Sequence, residues 1–208
     1  MSGYKGIDIS HWNDIVDYNA VASQVDFIIL KAGGSDKNFY TDNTFDTRYK
    51  IFSALDTPLG AYYFVGKDFY GREAGLSDSE RFLQLLEGKK FSYPVVLDIE
   101  TTMPERKEEA TDACISFCDN LEQHGYYAMI YASDVSGFMD KLNLSRLKRF
   151  DKWVARYGSE PKYVPVDDYG IWQKSSSGHI AGILGRVDLD ISYRSYPSII
   201  KRAGLNNL

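Results

Sequence analysis

Apolar and polar positions alternate along the chain in two rhythms. Short apolar runs at Tyr4 to Ile9, Phe27 to Ala32, Leu59 to Val65, Tyr93 to Ile99 and Tyr127 to Tyr131 have the length and β-branched or aromatic content of buried strands. Between them lie amphipathic segments that predict helices: a short one around Tyr18 to Val25, then Asn43 to Leu55, Glu73 to Leu86 and Pro104 to His124. In the last of these, Ala110, Ala113, Cys114, Phe117, Cys118 and Leu121 form one apolar face, with Pro104 suited to the first turn and Gly125 just past the end. After Tyr131 the rhythm shortens. Lys152 to Tyr157, Gly170 to Gln173 and Val187 to Ile191 read as strands, with short or missing helices between them. Alternating βα units imply an α/β fold with a parallel sheet, and eight strands predict closure into an irregular (β/α) TIM-like barrel with degenerate last helices. No linker, repeat or low-complexity segment interrupts residues 1–208, so one domain is expected.

Composition narrows the chemistry. The 208 residues are 44% hydrophobic and include 16 Tyr, enough for a buried core with rings left over for a surface groove. A net charge of −5 without a basic stripe argues against a nucleic-acid ligand, and no segment reads as a membrane span. Cys114 and Cys118 lie four apart in a helical pattern, unsuited to a disulfide, and read as reduced core thiols. His11, His124 and His179 are scattered, and none completes a nucleophilic triad or a zinc set. The first 25 residues carry Asp8, Asp14 and Asp17 and no apolar core of signal-peptide length. The expectation is therefore cytoplasmic synthesis, unless a signal was trimmed.

The most informative feature is the acid pair in Tyr93-Pro94-Val95-Val96-Leu97-Asp98-Ile99-Glu100. Side chains two apart on a strand share a face, about 6.5–7 Å apart along the chain, so both carboxyls enter one pocket. Crowding and burial leave one reluctant to ionise, a division suited to glycosidic bond cleavage. Strand-end acids also cap helices, pair with Arg or bind cations. In a barrel, however, the strand ends converge on one mouth, bringing Asp8 and Asp188 toward Asp98 and Glu100. Such a cluster is able to hold Mg²⁺ or Ca²⁺, yet no His joins it in a ligand spacing, so neither a metal nor a cofactor is expected.

These residues resemble glycoside hydrolase family 25, the lysozymes or N-acetylmuramidases. The likeness runs through Gly6-Ile7-Asp8-Ile9-Ser10-His11-Trp12, Phe27-Ile28-Ile29-Leu30-Lys31-Ala32, Gly60-Ala61-Tyr62-Tyr63-Phe64 and Leu97-Asp98-Ile99-Glu100. It continues through Ile130-Tyr131, Trp153-Val154-Ala155, Ile171-Trp172-Gln173 and Val187-Asp188-Leu189-Asp190. The resemblance implies a peptidoglycan hydrolase cleaving the β-1,4 bond between N-acetylmuramic acid and N-acetylglucosamine. Glu100 would be the general acid, with Asp98, Asp8 and Asp188 as the other site acids and Tyr62, Tyr131 and Trp172 as substrate contacts. It also implies an endolysin-like monomer that acts on the bacterial cell wall, released with the help of another protein, with no room for a separate wall-binding module. Two departures fall near the expected groove: Gly33 and Gly34 where relatives often carry an acid, and Tyr63 where they often carry His. Asp98 as nucleophile would need carboxyls about 5–5.5 Å apart; attack by the substrate acetamido group, steadied by Asp98, is favoured. A chitinase-like glycosidase and an inactive wall-binding lectin are the alternatives.

Overall fold

The computed structural model describes residues 3–208. Eight strands close into a barrel in chain order: β1 Tyr4–Ile9, β2 Phe27–Gly34, β3 Leu59–Val65, β4 Val95–Ile99, β5 Ala128–Ser133, β6 Asp151–Ala155, β7 Ile171–Gly178 and β8 Val187–Ser192. All eight coincide with predicted runs. Strands β1 to β7 are parallel, but β8 is antiparallel to both β7 and β1, which corrects the all-parallel expectation. The reason is length: residues 179–186 are too few for a crossover, which takes about a dozen residues or more. The reversal places the start of β8 at the same barrel end as the finish of the other strands.

Helices α1 Tyr18–Ala22, α2 Phe45–Ala54, α3 Gly71–Leu86 and α4 Lys107–Gln123 follow the first four strands. They cover an outer layer that includes Leu30, Tyr63, Leu97, Phe82 and Phe117. Gly75 lets α3 and α4 approach closely, since a Cβ there would stand 2.2 Å from the Ala113 carbonyl oxygen. Cys114 and Cys118 are free and buried in this layer. Between β5 and β8 the described helical structure is a π-helical turn, Asp134–Met139, and a single 3₁₀ turn, as the shortened rhythm predicts.

Along β4, Val95, Leu97 and Ile99 face the helices while Val96 and Asp98 face the lumen. The lower lumen is apolar, with Phe27 stacked on Tyr93 at 4.2 Å. A further helix, α5 Tyr196–Ala203, plugs this end with Tyr196 and Ile200. It was not anticipated, because its eight residues, though amphipathic, fall short of the roughly ten to twelve from which a helical period is read. Buried Asn206 fastens the plug, donating to the Tyr93 carbonyl at 2.9 Å and accepting from the Tyr127 N–H at 2.7 Å. This end also holds a buried carboxyl, Asp151, which accepts from the Tyr196 and Tyr127 hydroxyls and pairs with Arg194, whereas the clustered acids lie at the opposite, upper mouth.

Candidate active site

Strand alternation carries the acids into that mouth. Asp8 lies in β1 directly across from Asp188 in β8, and Asp190, two residues on, shares the lumen face. Asp98 is in the last turn of β4's pleat, and Glu100 sits exposed one residue beyond the strand. Asp8, Asp98 and Asp190 are buried. The Gln173 side chain donates from Nε2 to Asp8 Oδ2 at 2.8 Å. Its Oε1 accepts from the Tyr131 and Tyr157 hydroxyls at 2.8 and 3.0 Å, so the amide orientation is fixed by three partners. Trp153 Nε1 donates to Asp190 Oδ1 at 2.8 Å.

Crowding has electrostatic consequences. Burial, then the neighbouring Glu100 charge, pushes Asp98 well above the ordinary carboxylate range. Lys31 opposes this rise. Its ammonium lies 4.7 Å from the Phe64 ring centre and 5.7 Å from those of Tyr40 and Tyr62. Asp188 is pushed up to about 6 by burial and then by Glu100. Burial raises Asp190 to about 8 and Asp8 well up, with Asp190 and Asp188 adding to the Asp8 shift. Asp190 Oδ2 has no donor from the rest of the protein; a proton shared with Asp8 satisfies it. The reluctant member of the Asp98–Glu100 pair is thus the buried Asp98 in the free protein.

Tyr62 and Tyr131 are brought to the acids. Both rings meet Trp153 edge-on, at 6.3 and 4.6 Å, and both hydroxyls lie within electrostatic reach of Asp8 and Asp98. Trp172 is not brought there. It lies on the opposite face of β7 from Gln173, packs against the outer layer and donates from Nε1 to the Arg156 carbonyl at 2.8 Å. Beside it is an outer-wall cavity of about 650 Å³ shared with Tyr169 and Tyr193. Tyr63 likewise faces outward, between Phe82 and Phe117, so that departure does not border the mouth. At Gly33 a Cβ would stand 2.2 Å from the Tyr40 carbonyl oxygen, because the short strand Tyr40–Thr41 pairs there.

Five residues of the mouth escaped the sequence reading: Lys31, Tyr40, Tyr157, Gln173 and Asp190. Two had a signal. Lys31 is the lone charge in an apolar strand, and Asp190 repeats Asp188 at the two-residue period. Among the described residues no three His, Cys, Asp or Glu side chains converge as ligands for a metal ion.

Comparison with known proteins adds to this geometry. The family model described as glycosyl hydrolases family 25 matches residues 7–183. The autolytic lysozyme of Clostridium acetobutylicum is 28% identical over 187 residues, covering 89% of this chain and 55% of the relative. The chain thus spans about half the length of that curated relative. The solved structure of the CTP1L endolysin superposes with a TM-score of 0.82 at 26% identity, covering 97% of this chain and 70% of that one. The autolysin LytC from Streptococcus pneumoniae, solved in complex with a synthetic peptidoglycan ligand, superposes at 0.73 with 25% identity, covering 92% and 47%.

Proposed function

We propose, from the premise that this chain belongs to the glycosyl hydrolases family 25, that it is a lysozyme. It cleaves the β-1,4 bond between N-acetylmuramic acid and N-acetylglucosamine in bacterial cell-wall peptidoglycan, and acts there as a monomer. The observation that carries the reading is the buried Asp98 beside exposed Glu100 at a mouth crowded with further carboxyls. The likeness to an autolytic lysozyme and to LytC bound to a peptidoglycan ligand supports the substrate class.

The chemistry follows from moving one proton. In the free protein burial and the Glu100 charge favour the proton on Asp98. Asp98 Oδ1 has no hydrogen-bond partner, so the side chain gains one by turning to accept the N–H of a substrate acetamido group. That donor, with Lys31, favours the Asp98 carboxylate and sends the proton to Glu100, which the seated glycan shields from water. Glu100 then protonates the glycosidic oxygen. As that bond breaks, the acetamido oxygen bonds to the anomeric carbon, and Asp98 steadies the cationic ring that forms. Water opens this ring and returns its proton to Glu100, with retention of configuration. Asp8, held by Gln173, and Asp188 keep negative potential facing the oxocarbenium-like transition state.

The test combines product analysis with Glu100→Gln. Mass spectrometry of digested peptidoglycan should find the new reducing end on muramic acid. Glu100→Gln should fold normally, because the side chain is exposed, and should lose about 10²–10⁴ in turnover, the scale of general acid catalysis. A folded Glu100→Gln that clears peptidoglycan at the parent rate would overturn the assignment. A reducing end on glucosamine would overturn the bond specificity.

A further inference from the structure

The turn after β1 is built more firmly than its position on the surface requires. Asn13 N–H donates to the Ser10 carbonyl, and Ser10 N–H to Asn13 Oδ1, both at 2.9 Å. Two buried side chains from elsewhere clamp it further. Asp42 Oδ2 accepts from the His11 N–H and from His11 Nδ1, each at 2.9 Å, and the Arg48 guanidinium donates to the carbonyls of Ser10 and Asn13. Asn13 also ties the turn to the Arg186 carbonyl, just before β8.

This frame presents Trp12, which is 83% exposed, more than any other large apolar side chain among the described residues. The His11 ring braces it from one side at 4.5 Å. A buried carboxylate and a buried guanidinium are costly to desolvate; here the guanidinium and one oxygen of the carboxylate fix a turn whose one apolar side chain faces water, while the other carboxylate oxygen holds Thr44 at the start of α2. The turn stands on the mouth rim, four residues past Asp8. On one side Asp42 reaches electrostatically to Tyr40 and Tyr62; on the other Arg186 leads to Asp188.

We infer that Trp12 is a stacking platform for a sugar ring of the glycan strand, outside the pair flanking the cleaved bond. The inference rests on the proposed reading of the acid mouth as a glycan site. A pyranose ring presents a face of C–H bonds, weakly positive, to the negative face of the indole, and such contact requires an exposed ring held still beforehand. His11, bonded to Asp42 through Nδ1, keeps Nε2 for a hydroxyl of the same sugar.

The experiment uses peptide-free glycan strands of alternating N-acetylglucosamine and N-acetylmuramic acid, long ones and the disaccharide. Cleavage is followed with the parent and Trp12→Ala, and calorimetric binding with the same pair carrying Glu100→Gln. Trp12→Ala should melt like the parent, bind long strands about tenfold more weakly, the value of roughly one good contact, and bind the disaccharide unchanged. Trp12→Tyr should restore most of the binding. Equal affinity of Trp12→Ala and the parent for long strands overturns the platform even where the parent cleaves them. If the parent binds strands without cleaving, the hydrolase reading fails and the affinity ratio still decides the platform. If the parent binds no strand, both fall.

Discussion

Replacing Asp188 by Asn should stabilise the protein and disable it together, and the stabilisation should depend on pH in a calculable way. Burial and the Glu100 charge lift the Asp188 carboxyl from an ordinary 3.8 to about 6. An acid lifted on folding binds its proton more tightly in the native state, so stability falls as pH rises from about 4 and the full cost is present above about 6. The gap corresponds to about 3 kcal/mol at about 1.36 kcal/mol per pH unit. Asp188 is only partly buried, so solvent screening reduces this to about 1–2 kcal/mol. For a chain of this size that amounts to about 2–8 °C in melting temperature. The amide keeps the shape and adds an N–H that Asp8 is placed to accept across the β1–β8 pair. Melting followed from pH 4 to pH 8 should therefore show parent and variant together at the acid end, and the variant higher at the basic end. Glu100→Gln removes part of the crowding, so in that background the gain should shrink. A melting gap independent of pH, or a gain untouched by Glu100→Gln, would refute the view that Asp188 and Glu100 crowd one another.

Two further outcomes test the surroundings of the mouth. Trp172→Ala should cost about 2–3 kcal/mol of stability, below the 3–5 for a fully buried ring, with glycan affinity intact per folded molecule; unchanged melting with weakened glycan binding would show that the groove reaches the outer wall. Asp134 accepts from the N–H groups of Lys162, Tyr163 and Val164 and from Arg156, and these bonds hold its carboxyl below the ordinary range despite burial. Its stabilisation is present above the unfolded value and is lost as pH falls through the lowered folded one. Asp134→Asn should lose about 1–3 kcal/mol in chemical denaturation at neutral pH. The parent's advantage should vanish in strong acid, and an advantage that persists there would show that Asp134 acts through shape alone.

The sequence carried the barrel well because each of the eight strands announces itself as a short apolar run, whichever direction it runs in the sheet. Direction was not legible from apolar content, since Val187 to Ile191 reads alike parallel or antiparallel, nor from the gap after Gln173, which is long enough for a crossover; only the polar extension of β7 through Ser175 to Gly178 shortens it. The site divides in the same manner. The placement of Asp8, Asp98 and Asp188 was legible because a charge in an apolar strand is conspicuous, and period two sends it to the lumen. Gln173 escaped because a neutral amide in a strand looks like any surface residue, although it ties Asp8 to two tyrosines. Trp172 was expected at the mouth on likeness, but strand parity alone puts it opposite Gln173.

The two ends of the barrel divide stability from reactivity. At the lower end Phe27, Tyr93, Tyr196 and Ile200 pack together, the buried carboxyl of Asp151 is paired with Arg194 and bonded to Tyr196, and Asn206 closes the plug with satisfied hydrogen bonds. At the upper end Asp8, Asp98, Asp188 and Asp190 are all held against their preference to ionise, and Lys31 is the cation set beside Asp98. A fold with no use for these acids would be more stable with amides in their place, because each raised carboxyl subtracts from stability at neutral pH. In the proposed mechanism the cost is concentrated where a substrate would relieve it: a cationic ring beside Asp98 would supply positive charge at the point where the free protein has too little. Transition-state charge is then bound more tightly than the neutral ground state, which is the condition for rate enhancement.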